Sequence, residues 1–289
     1  MQQKTDSFNQ ILPEKSEIPA HDLFFSDVWL DRFQLTRLNA ENALPIKYKK
    51  LNIYSTLGQE LADYEEIPTN PETLKQRLTD AKKNKSDWLV FRKLRNPSPG
   101  TILYSHAPYL DLTKPIELKK EVSSHLARTE RKITRELGPI RVYRAQTQSE
   151  LEAWFSSWKE FHSSAGHFDE ERFQIYHQWI FGAPLPAWIL PMAFEVNNRI
   201  LACGLFYEYQ SVFYYFSPTQ NQAPEFRKYG LGKLFTQKLI EKAQANGCTG
   251  FDFLQGAYSY KMTWNPELRP LYQKIIPLTF WAILPIMRS

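Results

Sequence analysis

Apolar positions recur along this chain at two spacings, one suited to helices and one to strands. Residues 25–33 place Val28, Trp29 and Phe33 on one helical face, with Ser26 able to cap it. Extended runs follow over 46–54, 87–94 and 101–109, and an amphipathic helix over 72–83 separates the first two. The prolines and glycine of 96–100 make that stretch a turn or loop. A long helix is predicted over 117–137, with Val122, Leu126, Ile133 and Leu137 on one side and Arg128, Arg131, Lys132 and Arg135 mostly on others. Gly138-Pro139 stops it.

A short strand over 140–143 precedes Thr147-Gln-Ser-Glu150, which has capping-box spacing. The helix it opens carries Leu151, Trp154, Phe155, Trp158 and Phe161 as a core stripe, and a second helix is expected around 170–179. Strand-like runs over 187–196, 200–207 and 211–216 read as an antiparallel meander, with turns at 197–199 and 208–210. A glycine-containing loop then leads into a helix burying Leu231, Leu234, Phe235, Leu239, Ile240 and Ala243, ended by Asn246-Gly247. Residues 249–254 form a further strand, with Phe251 and Phe253 on one face and Asp252 on the other. The apolar run 275–287, broken by Pro277 and Pro285, is expected to give a buried edge strand and a closing helix.

The 289 residues suit two compact units, and 43% apolar residues with 15% aromatics suffice for a proper core. Cys203 and Cys248 lack CxxC partners or a nearby histidine cluster, so neither a disulfide framework nor a metal site is expected. No stretch reaches the ~18 apolar residues of a spanning helix, and the first residues lack a signal-peptide core; a cytoplasmic location is expected. From Lys114 to Arg144 nine Lys/Arg face four Asp/Glu, an excess that equals the net charge of +5. This basic segment is either a solvated helix face or a surface for phosphate or RNA.

The densest chemistry lies in Arg227-Lys228-Tyr229-Gly230-Leu231-Gly232-Lys233, between a strand and a helix. Glycines there let backbone N–H groups turn toward an anion at the helix N-terminus, although tight turns need glycine too. The spacing is neither GxxxxGK[ST] nor a dinucleotide GxGxxG after the first strand of a βαβ unit. It resembles the RxxGxG motif of the GNAT acetyltransferases, and the surrounding order of antiparallel strands, loop, helix and strand resembles that family's acyl-CoA module. Downstream, Gly247, Asp252-Phe253-Leu254, Gly256, Tyr260-Lys261 and Trp264 are similar to the signature of a GNAT subfamily associated with bacterial polysaccharide and cellulose biosynthesis, itself related to Fem-type aminoacyl transferases. The resemblance extends to 25–33, 62–64 and 124–137.

The resemblance implies an α/β (α+β) fold of two GNAT-like halves with mixed sheets. These are an N-terminal half over 1–113, a basic connecting helix over 114–138, and an acyl-CoA-binding domain over 139–289. It also implies direct attack of an amine on the thioester of acetyl-CoA or another acyl-CoA, with no metal. The acceptor would be a small or carrier-linked amine, such as an amino sugar or a polysaccharide precursor. Arg227 through Lys233 become the cofactor-binding residues. Tyr258 and Tyr260 are leaving-group acids or pack on the sheet. Glu195 is a general base or an exposed strand-end carboxylate. Asp252 pairs with Lys261 or reaches the acceptor. His162 and His167, expected on a loop, are further candidate bases. Two departures stand out: Lys228-Tyr229 replaces the subfamily's usual Ser-Pro before Gly230, and Tyr258-Ser259 replaces its usual acidic residue before the Tyr-Lys pair. The first implies conventional acyl-CoA use; the second leaves the acceptor open. Two other readings stay open: transfer from aminoacyl-tRNA with RNA on the basic helix, and a non-catalytic module of a polysaccharide assembly.

Overall fold

The computed structural model describes residues 46–48, 51–55, 64, 71–167 and 169–279. The expected helix over 25–33 and the closing helix after 279 lie outside them. In chain order the elements are β1 (Ile46–Tyr48), β2 (Leu51–Ser55), α1 (Pro71–Lys83), β3 (Trp88–Leu94), β4 (Thr101–Asp111), α2 (Lys120–Glu136), β5 (Ile140–Arg144), α3 (Gln148–Ser164), α4 (Glu170–Phe181), β6 (Ile189–Val196), β7 (Arg199–Tyr209), β8 (Val212–Gln220), α5 (Pro224–Arg227), α6 (Leu231–Ala245), β9 (Gly250–Asp252), α7 (Ser259–Met262) and β10 (Glu267–Pro277).

The strands form one mixed sheet in the order β1-β2-β3-β10-β4-β9-β8-β7-β6-β5. Among the described strands, only β2–β3 and β8–β9 pair in parallel. The expected edge strand is instead interior: β10 lies between β3 and β4. Its Pro277 falls at the last residue, where a missing N–H interrupts little of the ladder. A strand late in the chain therefore completes the first half of the sheet.

Two cores cover opposite faces. On one, α3 and α4 bring Trp154, Trp158, Phe161, Phe173 and Tyr176 against Ala193, Cys203 and Tyr207 of the sheet. The reciprocal capping box of Thr147 and Glu150 fixes where α3 starts. The indole N–H groups of Trp154 and Trp158 donate to the carbonyls of Met192 and Ser217, tying the helix to β6 and β8. On the other face, α2 and α6 pack Leu126, Ile133, Leu234, Phe235 and Leu239 against Phe194, Phe206, Phe213 and Phe251.

The first meander turn is Asn197-Asn198, with φ of 48° and 59°, the left-handed pair that a two-residue hairpin demands. The second turn lies at Gln210-Ser211, with φ of 48° and 61°, rather than at 208–210. There Glu208 and Tyr209 stay in the ladder opposite Phe213 and Val212.

Candidate active site

The parallel pair β8–β9 is short. It joins Val212 to Gly250, Phe213 to Phe251 and Tyr214 to Asp252, after which β9 ends while β8 runs on to Gln220. β8 also carries a bulge, because Leu205 opposes Ser217 while Tyr207 opposes Tyr214, so Tyr215 and Phe216 share one place in the ladder. Beyond Tyr214 the strands part and a cleft of about 440 Å³ opens. It is lined by the end of α3, by β8, by the start of α6 and by Tyr260 and Trp264.

The start of α6 is a helix N-terminus without a side-chain cap. Gly230 is the N-cap in the left-handed conformation, φ 57° and ψ 41°. The N–H groups of Leu231 and Gly232 lie in the first turn, where a helix has no internal acceptors. A Cβ on Gly232 would stand 2.8 Å from Oε1 of Gln220. Glycine at 232 thus leaves room for that amide.

Of the predicted cofactor residues, Gly230, Gly232 and Lys233 line the cleft. The others shape the loop. Arg227 donates to the carbonyl of Gln222 at 3.0 Å, and the hydroxyl of Tyr229 donates to Glu136 at 2.9 Å. Lys228 lies 3.6 Å from the same carboxylate, and Leu231 is buried in the core. Glu136 thereby ties the loop to the basic helix, and its partners, Tyr229 first, hold its carboxyl below the usual range.

Of Tyr258, Tyr260, Lys261, Asp252 and Glu195, only Tyr260 lines the cleft. Tyr258 is 62% exposed, and its ring lies parallel to that of Tyr260 at 6.2 Å. Lys261 is buried and gives its ammonium to the carbonyls of Phe253 at 2.6 Å and Gln255 at 2.8 Å. It braces the turn after β9 and does not pair with Asp252. Asp252 instead accepts from Tyr64 at 2.7 Å and from Arg95 at 2.8 Å. Glu195 sits on β6, two strands from β8, where it accepts from Tyr143 at 3.1 Å and lies 3.6 Å from Arg141. Burial, then the Glu195 charge, pushes the Tyr143 phenol up to about 12.

The histidines fare better than their sequence context suggested. His162 is in the last turn of α3 rather than on a loop, and both His162 and His167 line the cleft. Nε2 of His162 lies 3.1 Å from Oγ of Ser217 on β8. Burial, then the charge of His167, lowers its pKa to about 4, so the imidazole is neutral at neutral pH. The unfolded chain therefore binds more protons than the folded one between pH 6.5 and about 4. Stability should be complete above 6.5 and fall by on the order of 3 kcal/mol as pH drops through this window. Thermal unfolding of wild type and His162→Gln from pH 7 to 4 checks this; a variant with the same pH slope as wild type contradicts it.

Residues 120–262 match the family model of the acetyltransferase (GNAT) domain. The GNAT-domain match spans α2 through α7, including every strand and helix around the cleft. Among solved structures, the chain is similar to the C-terminal domain assigned to a lysylphosphatidylglycerol synthetase of Agrobacterium fabrum, with a TM-score of 0.54, 12% identity and 88% of each chain covered. It is similar to L-PGS from Bacillus licheniformis, with a TM-score of 0.51, 12% identity and coverage of 84% of this chain and 83% of that one. FemX gives a TM-score of 0.52 at 12% identity, with 94% and 96% covered. At such identity the likeness is one of fold. No curated protein matches the sequence. Among the described residues, no helix is long and apolar enough to cross a membrane, and no cluster of three metal-binding side chains occurs.

Sequence reasoning quoted Trp264 without giving it a role and passed over Gln220 and Ser217. The signal for Gln220 and Ser217 was their place on β8 just before the glycine loop, which becomes visible only once the strands are known to part there.

Proposed function

We propose that the chain is an N-acyltransferase that moves an acyl group, acetyl in the simplest case, from acyl-CoA to an amine by direct attack. The observation that carries this reading is the cleft where β8 leaves β9, which opens onto the uncapped N-terminus of α6. Residues within 139–289 hold the donor, the 114–138 segment braces the anion loop through Glu136, and β3 and β4 of 1–113 join β10 in the other half of the sheet.

The pyrophosphate of the donor lies against the amides after Gly230, with Lys233 beside it. The thioester carbonyl lies along β8 past the end of β9, where a backbone N–H of the strand stabilises the developing oxyanion. The amine forms the new C–N bond as the C–S bond breaks. Its proton passes to the imidazoles that line the cleft, His162 or His167, and Tyr260 protonates the departing thiolate. The acceptor class we favour is an amino sugar or a carrier-linked amine of envelope polysaccharide synthesis, on the strength of the Asp252 to Trp264 signature. Tyr260→Phe should lower kcat about 100-fold while leaving acetyl-CoA affinity nearly unchanged, read by CoA release and by calorimetry. An unchanged kcat would remove Tyr260 from the chemistry.

One observation favours a second reading, transfer from aminoacyl-tRNA. The basic helix α2 borders the anion loop, with Lys132 5.2 Å from the Tyr229 ring centroid. A salt-sensitive complex with tRNA, in a protein that binds no acyl-CoA, would favour it.

A further inference from the structure

Tyr258 lies outside the cleft and has no part in the proton transfers above, yet at 62% it is the most exposed large apolar side chain among the described residues. Its ring is nonetheless held. It rests against the backbone at Gly256, where a Cβ would stand 2.5 Å from Cε2 and 2.9 Å from Cζ, and that glycine has φ of 98°. The Tyr258 carbonyl accepts the backbone N–H groups of Lys261 at 2.9 Å and Met262 at 3.1 Å, which pins the residue to the start of α7. A rigid, exposed tyrosine offers a large contact face at little cost in conformational entropy, the property that recognition surfaces draw on.

Tyr260, two residues on, is 38% exposed and lines the cleft. Its ring is within 4° of parallel to that of Tyr258, with centroids 6.2 Å apart. The two phenols therefore present one orientation from the cleft to the outer surface. The cation beside them is committed elsewhere: the Lys261 ammonium, 5.3 Å from the Tyr258 centroid, is buried against the carbonyls of Phe253, Leu254 and Gln255. This surface offers aromatic faces and not a phosphate-binding charge.

We infer that Tyr258, with Tyr260, is the platform on which the ring of an amino-sugar acceptor stacks, its amine directed into the cleft. The inference rests on the acyl-CoA reading above and chooses between the two acceptor classes named there. A pyranose has C–H bonds on its faces and hydroxyls at its rim, the same pairing of apolar face and polar edge that a phenol offers. The ammonium form of the amine gains further from the negative face of a tyrosine ring. A carrier-linked amine on a straight chain has no face to lay on two parallel rings.

Glucosamine and its β-1,4-linked tetramer are the probes, with 6-aminohexanol as the straight-chain control and free CoA in the donor site so that no transfer occurs. Saturation-transfer NMR on wild type, Tyr258→Phe and Tyr258→Ala reads which ligand protons touch the protein and with what affinity, and calorimetry reads acetyl-CoA binding. Saturation is expected on the ring C–H protons of both sugars with wild type and Tyr258→Phe. Sugar affinity should fall about five- to tenfold in Tyr258→Ala, while acetyl-CoA binds all three proteins equally. If acetyl-CoA binds but neither sugar does, if Tyr258→Ala binds the sugars as wild type does, or if 6-aminohexanol binds as tightly as glucosamine, the inference is overturned while the acyl-CoA reading stands. A loss in Tyr258→Phe equal to that in Tyr258→Ala overturns it too, because the contact is then the hydroxyl and not the ring face. So does a matching loss of acetyl-CoA affinity in Tyr258→Ala, since the change then lies in the turn beside the cleft. A folded wild type that binds no acetyl-CoA overturns the acyl-CoA reading, and this inference with it.

Discussion

Asp252→Ala should lower the unfolding free energy by about 3–5 kcal/mol in urea denaturation, the cost of removing one partner of a buried ion pair. Asp252 is 1% exposed and ends β9. One carboxylate oxygen accepts from the Tyr64 hydroxyl and the backbone N–H of Leu254, and the other accepts from Arg95. The Arg95 guanidinium also lies 3.8 Å from the Tyr64 ring centroid. Removing the carboxylate takes an acceptor from the largely buried Arg95 guanidinium, from the Tyr64 hydroxyl and from the Leu254 amide. The loss also reaches the cleft, since Asp252 pairs with Tyr214 at the point where β8 and β9 part. A cost under about 1 kcal/mol would show that the pair is solvated in solution and does not brace the sheet.

Gly232→Glu should weaken acetyl-CoA binding by about 100-fold or more, measured by calorimetry on protein shown to be folded by circular dichroism. A Cβ there would stand 2.8 Å from Oε1 of Gln220, so the end of that flexible side chain must swing aside. The introduced carboxylate would also face the phosphate site, and like charges brought together without water cost several kcal/mol. Adding Gly230→Glu compounds the effect, because that residue has φ of 57°, which costs a residue with a Cβ about 1–2 kcal/mol. Near-normal binding by the double variant would place the donor elsewhere.

What the sequence made legible was local. The capping box at Thr147, the aromatic stripe of α3, the Asn197-Asn198 turn and the glycine stop of α6 each depend on side chains within a few residues, so spacing reveals them. The glycine turn that opens α6 was legible for the same reason. Tertiary pairings were not: Asp252 finds its cation 157 residues away in Arg95, and nothing in the spacing of Asp252 and Lys261 distinguishes that from a local bridge. The position of β10 was hidden because apolar content gives burial without saying which strands flank it. Glu195 resembled a base by its residue type and place on a strand, but the separation of β6 from the cleft is a property of sheet order. His162 entered the site through the α3–β8 contact, which the stripe implied without fixing which helix end meets the cleft.

The central claim is that the cleft beside β8, past the end of β9, takes an acyl-CoA. Calorimetric titration of acetyl-CoA, longer acyl-CoAs and free CoA into the wild-type protein tests it most directly. The account predicts micromolar, one-to-one binding that is lost in the Gly230→Glu, Gly232→Glu double variant. Absence of binding to a well-folded wild type would contradict it and turn attention to aminoacyl-tRNA as the donor.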